Sequence, residues 1–262
     1  MISNTSNHPI GLFDSGIGGT SIWKEIQQLL PNENTIYLAD SHNAPYGLKS
    51  KDEIIALSSK NTEYLLNQNC KMIVVACNTA TTNAIKELRA KYKVPFIGIE
   101  PAIKPAANLS KTATIGILAT KGTLNSDLFH KTVSSYSETN IIEQIGHGLV
   151  QLIEDGELES EELFNLLETY LNPMVSQNMD YLVLGCSHYP YLIPQIKKII
   201  PKHIKIIDSG EAVAKQTKNI LNQQQLLNTQ VKKGKVVFYT NSDAKVLKNI
   251  LQNKYDVIEK KF

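Results

Sequence analysis

Two stretches of the sequence decide the fold: Ile73-Val-Val-Ala-Cys77-Asn78-Thr79 and Leu182-Val-Leu-Gly-Cys186-Ser187-His188. In each stretch an apolar run ends in a cysteine, and small polar residues follow before a segment with helical spacing. An uninterrupted apolar run of this kind is typical of a strand that is buried on both faces of a parallel sheet. The two stretches are about one small domain apart, which predicts two similar lobes with one such strand in each.

Short β-rich runs and amphipathic segments alternate through the rest of the chain. Ser50-Lys-Asp-Glu53 fits a capping box at the start of a helix, and further helices are predicted over 160–171 and 242–251. The alternation predicts an α/β fold of two lobes with mainly parallel sheets flanked by helices, and an active site in the cleft between the lobes. The predicted strands are 10–14, 35–39, 72–77, 94–99, 114–118, 141–145, 181–186, 204–207 and 235–239.

Composition excludes several functional classes. The 262 residues include 27 Lys+Arg and 25 Asp+Glu, a net charge of +2, with no basic block. A nucleic-acid binder needs a clustered basic surface, so that class of partner is not expected. The longest aliphatic runs are far shorter than the roughly 20 residues that span a bilayer, so no membrane association is expected. The N-terminal residues 1–9 lack the apolar core of a signal peptide.

The three cysteines, Cys70, Cys77 and Cys186, cannot all be paired in disulfides. Together with the lack of a signal peptide, they predict a reducing, cytoplasmic location. Cys70 precedes a strand and is expected to be a structural thiol. Cys77 and Cys186 end strands just ahead of helices, where the helix N-terminus is expected to lower a thiol's pKa. The alternative for each is a buried, inert side chain.

Two thiols that face each other across a cleft suit racemisation. That reaction removes a proton from one face of a carbon and returns one to the other face, which two opposed acid/base groups can do. A redox dithiol and a metal site are weaker alternatives, because the chain has no Cys-x-x-Cys and no paired Cys/His spacing. The sequence therefore predicts an enzyme with no metal and no cofactor.

Other polar residues follow predicted strands and could serve the same site. Asp14 and His188 could orient a thiol, although a turn carboxylate and a hydrogen-bonded turn histidine are the simpler interpretations. Local sequence favours a solvated surface carboxylate for Glu154. The turn Gly16-Ile-Gly18-Gly19 lacks the nucleotide-binding patterns but could hold a small carboxylate on its N–H groups. Further candidate donors are Ser15, Asn78, Thr79, Thr120 and Ser187, and the loop Pro45-Tyr46-Gly47 is expected to bend over this edge, although Pro and Gly alone would justify a simple turn.

Taken together, these residues and their neighbours resemble a known family, the glutamate racemases of the cofactor-independent aspartate/glutamate racemase superfamily. The resemblance spans nearly the whole chain. It rests on five segments in the family's order: Phe13-Asp-Ser-Gly-Ile-Gly-Gly19, Ala44-Pro-Tyr-Gly47, Ala76-Cys-Asn-Thr-Ala-Thr81, Ile117-Leu-Ala-Thr-Lys-Gly-Thr123 and Gly185-Cys-Ser-His-Tyr-Pro190.

The resemblance implies an enzyme that makes D-glutamate from L-glutamate for peptidoglycan, without a cofactor and commonly as a homodimer. It implies Cys77 and Cys186 as the two acid/base residues, with Asp14 supporting the first and His188 the second, and Glu154 near the second. It further implies two lobes, 1–98 plus 210–262 and 99–209. The residues that match substrate-contact positions are Asp14, Ser15, Tyr46, Gly47, Asn78, Thr79, Thr120, Thr123, Ser187 and His188.

Two departures from the family pattern stand out. Ser187 replaces the usual Thr and keeps the hydroxyl, whereas Gly146-His-Gly148 replaces a frequent Cys-Pro ahead of Glu154. Three other functions stay open at this stage: a racemase for aspartate or another amino acid, a binding module with a relict site, and a redox protein.

Overall fold

A computed structural model describes residues 5–262 of the chain; residues 1–4, part of the segment expected not to be a signal peptide, lie outside the described residues. Within residues 5–262, ten strands form two parallel sheets, of orders β10-β9-β2-β1-β3-β4 and β6-β5-β7-β8. The strands are β1 Ile10–Asp14, β2 Thr35–Ala39, β3 Met72–Val75, β4 Phe96–Gly98, β5 Thr114–Ala119, β6 Asn140–Ile145, β7 Tyr181–Gly185, β8 Lys205–Ile207, β9 Val236–Thr240 and β10 Val257–Glu259.

Eleven α-helices within the described chain flank the sheets, in agreement with the predicted α/β class. They are α1 Thr20–Leu29, α2 Lys51–Asn67, α3 Asn78–Lys91, α4 Ile103–Leu109, α5 Lys121–Leu124, α6 Asp127–Val133, α7 Leu149–Glu154, α8 Glu161–Val175, α9 Ile193–Ile199, α10 Gly210–Gln223 and α11 Lys245–Ile250.

In the larger, six-stranded unit, β1 and β3 are interior strands, and every residue of both is buried. In the smaller, four-stranded unit, β5 and β7 are central; β5 is buried throughout, and β7 is buried except at partly exposed Tyr181. Continuous burial explains why these strands read as unbroken apolar runs. Strand β9 pairs with β2 and β10 pairs with β9, so the C-terminal segment completes the larger sheet. The two lobe ranges expected from the resemblance stay a prediction.

Most predicted elements are confirmed, and the differences lie at their ends. The capping box forms as predicted: Ser50 Oγ accepts the Glu53 N–H at 3.3 Å, and the Glu53 carboxylate accepts the Ser50 N–H at 2.9 Å. The last helix begins at Lys245, three residues later than predicted, because the preceding residues form a turn. Strand β10 and the short helices α4, α5 and α6 lie outside the sequence-predicted elements. No helix among residues 5–262 is long and apolar enough to cross a membrane.

Candidate active site

Cys77 lies at the end of a strand, as predicted, and caps α3. Its Sγ accepts the backbone N–H of Ala80 at 3.4 Å and lies 3.6 Å from the hydroxyl oxygen of Ser15, to which the thiol donates. Only 4% of Cys77 is exposed. The side chain is therefore sealed between the start of α3 and the loop that follows β1.

The expected lowering of the Cys77 pKa is wrong. Burial raises the pKa of this thiol and the charge of Asp14 raises it further, whereas hydrogen bonds from Ala80 and with Ser15 offset only part of the increase. Desolvation penalises the charged thiolate more than one helix terminus stabilises it. Cys77 is consequently a thiol in this site. The third cysteine, Cys70, is also buried, and burial raises its pKa to about 12, as suits a structural thiol.

Cys186 has a different set of partners. It follows β7 and precedes a single 3-10 turn, Tyr189–Leu192, rather than an α-helix. Its Sγ lies 3.8 Å from Nδ1 of His188, and Nε2 of the same ring lies 2.6 Å from Oε1 of Glu154. Thiol, imidazole and carboxylate thus form a continuous chain of hydrogen-bonding groups.

His188 is held in its charged form despite its burial. Burial alone lowers its pKa, but the hydrogen bonds with Cys186 and Glu154 and the negative charge of Asp14 together raise the pKa well above its ordinary value. The imidazolium places a positive charge beside Cys186, whereas the carboxylate of Asp14 places a negative charge near Cys77. The two cysteines therefore have environments of opposite electrostatic character.

Asp14 connects the two units. One carboxylate oxygen accepts the N–H of Gly19 at 2.7 Å, and the other accepts the hydroxyl of Ser187 at 3.2 Å. Burial raises the Asp14 pKa, and the neighbouring charge of His188 offsets part of that increase. The bond from Gly19 fits the turn carboxylate that sequence offers as an alternative, and the bond from Ser187 joins the end of β1 to the loop after β7.

Glu154, the last residue of α7, is not the solvated surface carboxylate that local sequence favours. Its side chain is 9% exposed and accepts three hydrogen bonds. Besides His188, the N–H of Ile17 donates at 2.6 Å and the hydroxyl of Ser41 at 2.8 Å. Ile17 and Ser41 belong to the larger unit, so Glu154 lies where the two units meet.

The Gly146-His-Gly148 departure has a structural reason. Gly148, which precedes α7, has φ of 77°, a left-handed conformation that favours glycine. A methyl group at Gly146 would lie 2.8 Å from Leu149 and closer still to the Tyr189 hydroxyl, which donates to the Gly146 carbonyl at 3.2 Å. These glycines lead the chain into α7 and so bring Glu154 to His188.

The glycine-rich turn after β1 holds the protein's own carboxylates. Its N–H groups at Ile17 and Gly19 are occupied by Glu154 and Asp14, so the expectation that they hold a substrate carboxylate is not met at these two positions. A side chain at Gly18 would overlap the ring of His188. The turn therefore serves to admit groups of the site from both units.

Three threonine hydroxyls meet across the cleft, close to Tyr46 and Gly47. Thr79 Oγ1 lies 2.8 Å from that of Thr120 and 3.3 Å from that of Thr123, and Thr120 and Thr123 are 3.0 Å apart. A methyl group at Gly47 would lie 2.9 Å from Cβ of Thr120, so glycine permits this close approach. Each hydroxyl can donate and accept, which suits binding of polar substrate groups.

Two residues of the site escape the sequence interpretation, Asp40 and Ser41. They follow β2, so the rule that sites form at carboxyl ends of parallel strands could have found them. Asp40 is buried and accepts hydrogen bonds from the Tyr46 hydroxyl and the Asn61 amide, which fixes the Pro45-Tyr46-Gly47 loop. Burial and Asp40 both raise the pKa of Tyr46 well above its ordinary value, so its hydroxyl stays protonated.

The buried side-chain amide of Asn78 is the next feature of the site. It is 2% exposed, and neither polar atom of its side chain has a hydrogen-bond partner in the described chain. An unsatisfied buried amide costs roughly 1–3 kcal/mol per group, so such groups are typical of ligand contacts. Two cavities border other residues of the site: one of about 350 Å³ reaches Ser41 and Glu154, and one of about 260 Å³ reaches Gly47 and Thr120.

A model of the Asp/Glu/hydantoin racemase family matches residues 10–217. The chain belongs to the Asp/Glu/hydantoin racemase family. Family members named glutamate racemase are similar over almost the whole chain, as the sequence resemblance predicts. The one from Herpetosiphon aurantiacus is 42% identical, over 90% of this chain and 94% of its own.

Solved structures of family members share the fold. Francisella tularensis glutamate racemase, in complex with D-glutamate, has a TM-score of 0.84 at 29% identity and covers 98% of both chains. The Escherichia coli enzyme, in complex with L-glutamate and an activator, has a TM-score of 0.85 at 30% identity and covers 96% of this chain and 97% of its own. The predicted fold class and family are thereby confirmed.

Proposed function

We propose that the chain interconverts L- and D-glutamate by a two-thiol acid/base mechanism. The observation that carries the proposal is the pair of buried strand-end cysteines with opposite surroundings, Cys77 beside a carboxylate and Cys186 beside an imidazolium. The similarity to glutamate racemases, two of them with a glutamate enantiomer bound, supports glutamate as the substrate.

The mechanism needs one thiolate and one thiol at the same time. With L-glutamate or its mirror image in the cleft, the thiolate of one cysteine takes the Cα proton and leaves a carbanion delocalised into the carboxylate. The thiol of the other cysteine then delivers its proton to the opposite face. One cysteine of the pair acts as the base in each direction, and the other acts as the acid. Asp14 orients Cys77, and Glu154 fixes His188.

Substrate binding uses local donors, because a net charge of +2 provides little attraction for a dianion. The unpartnered Asn78 amide is our first candidate for a substrate carboxylate. The remaining contacts come from hydroxyls and the adjoining loop. They are Ser15, Tyr46, Gly47, Thr79, Thr120, Thr123, Ser187 and the ring of His188. Exclusion of water would strengthen each of these interactions.

The decisive experiment incubates the purified chain with L-glutamate in deuterated water, without added cofactor, after dialysis against a chelator. We expect D-glutamate with deuterium at Cα. Cys77→Ala and Cys186→Ala should each abolish racemisation, because neither remaining thiol can serve both faces. Full turnover by either variant would refute the two-thiol scheme, and activity that depends on an added cofactor would refute the cofactor-independent one.

The same samples test the other candidate functions. Turnover of L-aspartate in preference to L-glutamate, followed by chiral chromatography, would favour a different amino-acid racemase. No deuterium incorporation with either substrate would favour a binding module. A disulfide between Cys77 and Cys186 under mild oxidation, detected by mass spectrometry, would favour a redox protein.

In the cell we propose a cytoplasmic homodimer that supplies D-glutamate for peptidoglycan. The similarity to glutamate racemases supports this role. Expression of the chain in a bacterial strain that requires D-glutamate should restore growth, whereas Cys77→Ala should not. Light scattering during size-exclusion chromatography should give twice the mass of 29.2 kDa, and the monomer mass would refute the dimer.

A further inference from the structure

The carboxylate of Glu154 receives hydrogen bonds from both units of the fold. Its helix, α7, packs on α8 and on the turn after β7, which belong to the smaller unit, as does His188. The other two donors, the Ile17 N–H and the Ser41 hydroxyl, follow β1 and β2 of the larger unit. One carboxylate oxygen faces His188 and Ile17, and the second accepts the hydroxyl of Ser41.

We propose that Ser41 is a positioning residue of the racemase site, whose hydroxyl reaches across the cleft to fix Glu154, and through it His188, when the two units close. This inference rests on the proposed function. Ser41 does not contact the reacting atoms. It acts through the carboxylate that holds the imidazole beside Cys186.

The burial of the site requires that the units open and close. Cys77 and Cys186 are 4% and 6% exposed, so a substrate cannot reach either thiol in the closed form. Opening separates Ser41 from Glu154, whereas His188 and Glu154 stay together on the smaller unit. The bond from Ser41 therefore forms only on closure, and its free energy favours the arrangement in which His188 is aligned.

The turn that carries Ser41 does not depend on this hydroxyl. Ser41 begins the one-turn 3-10 helix Ser41–Asn43 and is partly exposed. The preceding Asp40 anchors the turn through hydrogen bonds with Asn43, Asn61, Tyr46 and Asn241. Loss of the Ser41 hydroxyl should leave this anchor intact, so its effect should be confined to Glu154.

The test compares Ser41→Thr with Ser41→Val, because these side chains have the same shape and differ in the hydroxyl. A hydrogen bond to a charged group has a free energy that corresponds to about a 10-fold change in rate or more. We expect Ser41→Thr to lie within about twofold of wild type, and Ser41→Val to lose about 10-fold in kcat/KM for glutamate. The loss must be equal in both directions, since the two enantiomers have equal free energy in water.

A double-mutant cycle separates positioning from a general structural effect. In a Glu154→Ala background, Ser41→Val should change kcat/KM by less than about twofold relative to Ser41→Thr, because the acceptor is gone. Equal activity of the two variants with Glu154 present would overturn the inference, as would an undiminished loss in the Glu154→Ala background. A wild-type chain that does not racemise glutamate would refute the proposed function itself, and the inference with it.

Discussion

We expect that Gly18 cannot be replaced by a larger residue, because of the atoms that surround it and not because of its backbone conformation. Its φ is not in the left-handed region, so alanine can adopt the same conformation. A methyl carbon built there, however, would lie 2.7 Å from Cε1 of His188 and closer still to Nδ1 and Cγ. We therefore predict that Gly18→Ala folds but displaces the imidazole of His188.

The expected loss follows from these distances. To restore ordinary contact of roughly 3.5–4.0 Å between carbons, the His188 ring must move by about 1 Å. The ring is 1% exposed and is held at both ends, 3.8 Å from the Cys186 sulfur and 2.6 Å from Glu154, so such a move breaks at least one bond. A misplacement of about 1 Å in a catalytic group can lower the rate about 100-fold.

The assay measures racemisation of L-glutamate by circular dichroism, alongside thermal unfolding. Gly18→Ala should lose about 100-fold in kcat. The added methyl should cost about 1–3 kcal/mol of stability through overpacking. Gly210→Ala is the control for an added methyl group, because that group would lie 3.0 Å from Cγ of partly exposed Glu25 and 3.1 Å from the Asp208 carboxylate, and would not contact His188. Retention of more than half of the wild-type kcat by Gly18→Ala would refute the placement of His188.

Three further predictions concern other parts of the molecule. Thr79→Val removes the hydroxyl that lies within hydrogen-bonding distance of the Thr120 and Thr123 hydroxyls, and should raise KM for glutamate about 5–10-fold in steady-state assays at unchanged fold. Lys71→Met leaves the buried Glu33 carboxylate without its partner at 2.5 Å; calorimetry should show a loss of about 3–5 kcal/mol, with kcat preserved. The His188 pKa is raised in the folded state, so its contribution to stability is full below pH 6.5 and is lost as the pH rises through the folded pKa. Melting temperatures measured between pH 6.5 and 8.5 should therefore fall more steeply for wild type than for His188→Gln.

The sequence predicts well those features that depend on local pattern. The strands before Cys77 and Cys186 read as apolar runs because parallel strands are covered on both faces, and the capping box at Ser50 depends only on residues three apart. Strand ends meet at one edge, so the clustering of Asp14 and His188 with the thiols also follows from the pattern.

What the local sequence mispredicts is set by contacts between the units. Glu154 looks like a surface residue because its acceptance of bonds from Ile17 and Ser41 depends on how the two sheets pack, which no local pattern encodes. The prediction that the pKa of Cys77 is lowered is wrong for the same reason. A helix terminus is visible in the sequence, but the burial and the Asp14 charge that outweigh it arise only in the folded molecule.

The closed cleft also determines how the enzyme meets oxidants. The thiols of Cys77 and Cys186 are almost completely covered in the closed form, so we expect peroxides and alkylating reagents to attack them only during the intervals in which the units separate. The frequency of opening then sets the rate of oxidative damage as well as the rate of substrate entry. If the proposed function holds, saturating glutamate should hold the cleft shut and protect Cys77 and Cys186 from sulfenic acid formation.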